Sequence, residues 1–248
     1  MSPSEAIILA AGVGSRLRER IGHQPKCLSQ VGGTSIIAHQ VAALRSVGVD
    51  RVVVVTGFRA ELVKAAVDAV APDMERLYVH NARYAETNVL TSWWLGSEHL
   101  TGDHYYMHAD TVFEVAFLER LAQSEPDHIV LAVDRHDCAE EEMKVRLLGD
   151  DVIEISKEMN PGTAAGEFTG ILRAPASLLT ELREVADGLL SEAAGEALFF
   201  EATLGVLIRD AVTPVRWLDV TGLRWREIDF PEDLDAANAL FDGRGLVG

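Results

Sequence analysis

The residues best suited to chemistry lie near the start of the chain, in the string Leu9-Ala10-Ala11-Gly12-Val13-Gly14-Ser15-Arg16-Leu17. Lys26, preceded by Pro25, stands ten residues beyond Arg16. Gly12 and Gly14 lack a Cβ, so the backbone there can bend sharply and turn successive N–H groups toward phosphate oxygens. Arg16 and Lys26 add positive charge to the same region, and the combination describes a site for the phosphates of a nucleotide. A Gly-x-Gly pair alone marks no more than a tight turn. The full string is not a Walker A loop, which needs Gly-Lys-Ser/Thr, nor a dinucleotide fingerprint, which needs glycine where Leu17 stands.

The elements that must position this loop follow from hydrophobic periodicity. Glu5 to Ala10 reads as a strand, and in an open α/β sheet the ligand crevice lies at the C-terminal ends of the strands, where the loop begins. Strands are expected over 51–56, 76–80, 104–109 and 129–133, alternating with helices over 35–47, 61–71, 89–97 and 115–123. That order predicts an α/β fold with a mostly parallel, doubly wound, Rossmann-like sheet. After Val133 the pattern changes to a charged segment and two short apolar runs, 143–147 and 152–156, separated by Gly149-Asp150-Asp151, which reads as a hairpin. A return strand over 168–172 and helices over 178–186, 196–210 and 231–241 complete the expectation, with Pro231 suited to a first helical turn. The chain is thus read as one domain over 1–248 with a small β excursion at about 134–165.

Composition narrows the partners. With 22 Lys+Arg against 39 Asp+Glu the net charge is -17, which repels polyanions and argues against nucleic acid, while leaving room for small anions held by focused cations. No stretch approaches the roughly 20 apolar residues of a membrane helix, and the first residues lack the pattern of a signal peptide, so a cytoplasmic protein is expected. A homo-oligomer is compatible with the sequence. Cys27 and Cys138 fit no metal spacing and no disulfide framework.

The string from Leu9 to Leu17, followed by Pro25-Lys26, resembles the signature of the nucleotidyltransferases with the glycosyltransferase-A type fold. The continuation through Cys27-Leu28, Val31-Gly32-Gly33 and Ile36-Ile37 is most similar to the branch of phosphocholine and phosphonate cytidylyltransferases. The resemblance implies that Leu9 to Ala11, Gly12, Gly14, Ser15, Arg16 and Lys26 hold the nucleotide. It also implies that Asp110, at the end of the strand 104–109, and Asp229, after Trp225-Arg226-Glu227-Ile228, bind Mg2+. Read from residue types alone, Asp110 is equally a solvated strand-end carboxylate and Asp229 an N-cap of the last helix.

On the acceptor side, the segments around Lys144 and Lys157 resemble the branch's two lysine segments and imply catalytic cations beside the transferred phosphate; exposed lysines on a hairpin face are the plainer reading. Glu167 falls where the family contacts nucleotide or acceptor. Asn88 and Ser92 are candidates for the base or ribose, although Asn88 is also a natural helix cap. No histidine is required as a base, because an acceptor phosphate or phosphonate is already an anionic nucleophile. Arg135, His136, Lys144, Arg146 and Lys157 suggest a basic cluster for a doubly anionic acceptor. The expected reaction is transfer of CMP from CTP to a small phosphonate or phosphate monoester, with release of pyrophosphate. Phosphocholine and sugar 1-phosphates are the competing acceptors, and a nonenzymatic nucleotide sensor is the competing class.

Overall fold

The structure, a computed structural model, describes residues 3–241. The first half runs β1 (Glu5–Ala10), α1 (Arg18–Ile21), β2 (Gln30–Val31), β3 (Thr34–Ser35), α2 (Ile36–Ser46), β4 (Arg51–Thr56), α3 (Ala60–Val70), β5 (Glu75–His80), α4 (Val89–Ser97) and β6 (His104–His108). The second runs β7 (Thr111–Phe113), α5 (Ala116–Ala122), β8 (Ile129–Asp134), β9 (Lys144–Leu148), β10 (Asp151–Ser156), β11 (Gly166–Ala174), α6 (Leu179–Leu190), α7 (Glu201–Arg209), β12 (Val215–Asp219), β13 (Trp225–Glu227) and α8 (Pro231–Phe241).

Nine strands form one sheet in the order β5-β4-β1-β6-β11-β8-β12-β10-β9. The run β5-β4-β1-β6 is parallel throughout. Its strands are apolar at successive positions because both faces are covered: Ile8, Val52 and Val54 pack with Ile37 and Val41 of α2 and Val63 and Val67 of α3. On the opposite face Ile7, Val53 and Val55 pack with Leu90 and Trp93 of α4 and Leu204 and Leu207 of α7. Buried on both sides, such strands lose the polar alternation of a half-exposed strand. Each fully buried aliphatic side chain contributes roughly 1.5–3 kcal/mol relative to exposure, and this stiff half of the sheet anchors the loops at its C-terminal edge.

The α/β expectation holds, but the sheet is mixed rather than mostly parallel. β11 runs antiparallel to both β6 and β8 and lies between them. The hairpin β9–β10 turns at Gly149, which adopts φ 58°, and joins the main sheet through β12 and β11 instead of standing apart. Sequence periodicity missed β12, β7 and β13, because each is short and only partly apolar. β13 pairs with β7 antiparallel, setting Glu227 opposite Thr111. No helix among the described residues is long and apolar enough to cross a membrane.

Candidate active site

The phosphate loop leaves β1 at Ala10 and closes on a single turn, with the Leu17 amide donating to the Gly14 carbonyl at 3.1 Å. Leu17 is wholly buried and pins this turn to the core beside Val112 and Ile228. Gly14 has φ 62°, a conformation costly for side-chain-bearing residues, and a Cβ there would lie 2.6 Å from the Lys26 Cβ. The glycine therefore serves two purposes, setting the turn and letting Lys26 pass beneath it. The amides of Gly12, Val13 and Gly14 enter none of the turn or loop hydrogen bonds among the described residues.

Lys26 reaches from below the loop to two carboxylates at once. Its ammonium lies 2.7 Å from Asp110 Oδ2 and also bonds Asp229 Oδ1. Burial works against the charge of Lys26, but Asp110 and Asp229 together outweigh it and hold the lysine firmly protonated. For Asp110 burial favours the neutral acid, and Lys26 reverses that preference, leaving the carboxyl below its usual range. The other Asp110 oxygen, Oδ1, is buried with no hydrogen-bond partner.

Local structure explains why these acids meet. Asp110 follows β6, and its carbonyl accepts from the Ile228 amide at 3.1 Å, tying the end of β6 to the segment after β13. From α2, the Gln40 side chain donates to the carbonyls of His108 (2.7 Å) and Thr111 (2.8 Å), fixing the same turn from behind. Asp229 does not act as the cap of α8: Asp233 reaches back to accept from the amides of Asp229 (3.1 Å) and Phe230 (2.9 Å). Its carboxylate is thereby free to face Lys26 and Arg16, the latter at 3.5 Å.

Ligand atoms of His108, Asp110 and Glu227 lie within 4.8 Å of one another. Glu227 is pushed up to about 7, first by burial and then by the charges of Asp110 and Asp229. Oxygen-rich, crowded and negatively charged, this corner has the donor chemistry of a hard divalent cation. Periodicity did not single out Glu227; the signal lay in the spacing Glu227-x-Asp229 at the end of a strand, which places both carboxylates on one side. Cys27 also borders the site, but burial, then the charge of Asp110, push its thiol up to about 12, so it is no nucleophile at neutral pH.

A cleft of about 330 Å³ joins these groups, bounded by Leu9, Ala10, Gly12, Gly14, Arg16 and Lys26 on one side and by Lys157, Phe168 and Phe199 on another. Lys157 projects over the Phe199 ring at 4.9 Å from its centroid. Gly170 of β11 has φ 75° and comes so near His108 that a Cβ would lie 2.8 Å from Nδ1, which lets the strand close the back of the cleft.

A model of the MobA-like NTP transferase domain matches residues 6–203. The chain belongs to that family. It is 34% identical over 246 residues to the CMP-5'-(3-aminopropyl)phosphonate synthase of Streptomyces rubellomurinus, covering 96% of this chain and 39% of that protein. The chain thus spans about two fifths of that relative, but 97% of the CTP:phosphoglutamine cytidylyltransferase of Campylobacter jejuni, to which it is 25% identical. Among solved structures, the inositol-1-phosphate CTP transferase from T. maritima superposes with a TM-score of 0.79 at 23% identity, over 99% of both chains. The CTP:phosphocholine cytidylyltransferase of Streptococcus pneumoniae gives 0.79 at 21%, over 96% of this chain and 99% of that one. At these identities the two structures establish a shared fold.

Within that family fold, several expected site residues stand elsewhere. Lys144 is wholly buried, and its ammonium donates to the carbonyls of Ala139 (3.3 Å), Glu140 (2.6 Å) and Glu142 (2.9 Å). A side chain so saturated holds the 139–142 loop in place and does not face the cleft. Asn88 caps α4, accepting from the Val89 amide at 2.8 Å and donating to the Ala197 carbonyl at 3.0 Å. Ser92 is buried and accepts from Asn81 Nδ2 at 3.1 Å. Neither lines the cleft.

The basic cluster also dissolves. Arg146 pairs with Glu154 at 2.9 Å on the hairpin, Arg135 lies over Trp217, and His136 stands among Asp134, Glu142 and Glu167. Lys144 and Arg146 are two apart on one strand, yet Lys144 turns to the carbonyls of the 139–142 loop and Arg146 to Glu154 across the hairpin, so like charges close in the chain need not converge. Glu167 is buried in the wall of a second, acidic pocket that meets the cleft at Glu227 and Asp229.

Proposed function

We propose that this chain is a cytidylyltransferase that moves CMP from CTP to a small phosphonate or phosphate monoester and releases pyrophosphate. The observation that carries the reading is Lys26, held between Asp110 and Asp229 directly beneath a glycine loop. A cation between two acids, under amides free to bind phosphate oxygens, is the equipment of triphosphate chemistry. The choice of cytidine rests on relatives whose names specify CMP or CTP.

In this reading the acceptor oxyanion attacks the α-phosphorus of CTP, the bond from that phosphorus to the bridging oxygen breaks, and its electron pair leaves with pyrophosphate. The glycine loop binds and orients the triphosphate. Arg16 and Lys26 stabilise the charge that moves onto the leaving group, and Lys157 draws the acceptor oxygen toward the phosphorus. The acceptor is already anionic, so no residue need remove a proton. Asp110 and Asp229, with Glu227 beside them, would hold Mg2+, and the unpartnered Asp110 Oδ1 is an acceptor that such an ion would satisfy. Bound there, Mg2+ supplies neutralisation and alignment of the phosphates.

The test is pyrophosphate release by the purified chain across a panel of nucleoside triphosphates and acceptors, with and without a chelator. CTP with phosphonates or phosphocholine should support turnover that disappears on chelation. Turnover with hexose 1-phosphates and none with those acceptors would overturn the reading.

A further inference from the structure

The loop between β8 and β9 has no part in the cytidylyl-transfer reading, yet it is tied down from within. The buried Lys144 ammonium binds the carbonyls of Ala139, Glu140 and Glu142, and the Ala139 amide donates to Glu142 Oε2 at 2.8 Å. Burying a lysine is a costly way to order a surface loop. The ordering brings three unlike side chains together: one ligand atom each from His136, Cys138 and Glu142 lies within 4.8 Å of the others. The spacing His136-x-Cys138-x-x-x-Glu142 matches no recurring metal signature, so the cluster emerges only from the folded loop.

The separations within the group suit an ion. His136 Nε2 stands 3.1 Å from Glu142 Oε2 and 3.6 Å from Glu167 Oε2, a buried carboxylate reaching in from β11. Around a tetrahedral ion with metal–N and metal–O bonds of about 2.0–2.1 Å, neighbouring ligand atoms lie about 3.3 Å apart. The two distances bracket that value. On the other edge of the ring, Nδ1 is 3.7 Å from Asp134 Oδ2, which the Trp225 indole N–H fixes at 2.9 Å. A carboxylate behind the imidazole is the usual means of orienting a ligating histidine.

Ion pairing explains part of this arrangement. His136 answers some of the charge of its acids, and Lys157 acts on Glu167 as well. Ion pairing leaves the thiol without a role, although Cys138 lies against the Glu142 carboxylate and the His136 carbonyl. A bound metal takes the proton of such a thiol and makes it a ligand. Sulfur and imidazole nitrogen beside carboxylate oxygen select a borderline divalent ion of the zinc class, whereas Mg2+ prefers oxygen alone.

We infer that this loop carries a metal site separate from the cleft, in which His136, Cys138 and Glu142 bind a zinc-class divalent ion and Glu167 stands beside the fourth position. The inference is independent of cytidylyl transfer, since it concerns binding alone.

The experiment uses the full chain, stripped of metal with a chelator and returned to excess Mg2+ to fill harder oxygen sites, with Co2+ as the spectroscopic probe. Co2+ should give a near-ultraviolet thiolate-to-cobalt charge-transfer band that zinc removes by displacement. The band should persist in Cys27→Ser and vanish in Cys138→Ser. Zinc affinity by calorimetry should fall about 10²-fold or more in His136→Ala and Glu142→Gln, with thermal unfolding of the metal-free variants as the check on folding. No band in the parent chain, a band that survives Cys138→Ser, or zinc affinity unchanged in both other variants would overturn the inference. Loss of the band in Cys27→Ser alone would overturn it too, by placing the ion at the cleft.

Discussion

The cleft and the acidic pocket share Glu227 and Asp229 but solve opposite electrostatic problems. The cleft sets Arg16, Lys26 and Lys157 among Asp110, Glu201, Glu227 and Asp229, and Lys26 bridges two of those acids, Asp110 and Asp229. In the pocket the acids outnumber the bases, and Glu167 shares His136, at 3.6 Å, with Glu142 and Asp134 while the charge of Lys157 also acts on it. A chain of net charge -17 has no overall attraction for phosphates; in the proposed reading it would hold them through Arg16, Lys26 and Lys157, drawn together at one cleft. Charge sign, read locally, tells which end of a ligand each side can take.

Breaking the cleft should have the largest effect. Asp110→Ala should lower turnover by on the order of 10³, since it removes the buried oxygen pair at which charge is neutralised, and single-turnover kinetics at saturating magnesium would check it. Lys26→Ala should follow, with a loss of about 10² in turnover and weaker CTP binding by calorimetry. If Lys26→Ala turned over CTP normally, the ion-pair bridge would be a structural contact and the cleft side of the comparison would fall.

The two lysines expected beside the acceptor offer a sharper contrast. Lys144→Met leaves three partly buried carbonyls without their donor and should cost about 1–3 kcal/mol in denaturant unfolding. Lys157→Met, at the cleft wall, should leave unfolding within about 0.5 kcal/mol of the parent while lowering turnover. The reverse pattern would mean that their roles had been exchanged.

The smallest expected effect concerns Glu167 and stability. Its folded pKa, about 9, stands above the ordinary 4.5, so between those values the folded state keeps a proton that the unfolded chain gives up. Stability should therefore fall as pH rises through that window. Glu167→Gln removes the titration; its Tm should exceed the parent's by about 2–4 °C near pH 9 and converge with it near pH 5. A difference independent of pH would show that Glu167 is not crowded by its acidic neighbours.

The alternation of apolar runs was enough to place β1, β4, β6 and their helices, because those strands are buried on both faces and carry an unbroken hydrophobic signal. The glycine loop was legible for a related reason: Gly14 must adopt positive φ and admit Lys26 beneath it, and few residue types allow that. Short half-polar strands such as β12 and β13 carry too weak a period to be seen, and with β13 went the placement of Glu227. The reversal of β11 was hidden as well, since strand direction leaves no mark on composition.

What the sequence by itself determined, then, is the glycine loop with Arg16 and Lys26, whose local backbone demands are written in residue types. Only the tertiary structure decided which acids and bases line the two pockets. Lys144, Arg146 and His136 are near neighbours in the chain, yet each finds a different environment: a loop of carbonyls, Glu154 across the hairpin, and the acids Asp134, Glu142 and Glu167. Asp134 and Glu142, Glu167, and Glu227, from three distant stretches of the chain, were gathered into one pocket by the pairing of β11 with β8 and β9 and of β13 with β7. Convergence of that kind depends on sheet register across long loops, which no local pattern of residues encodes.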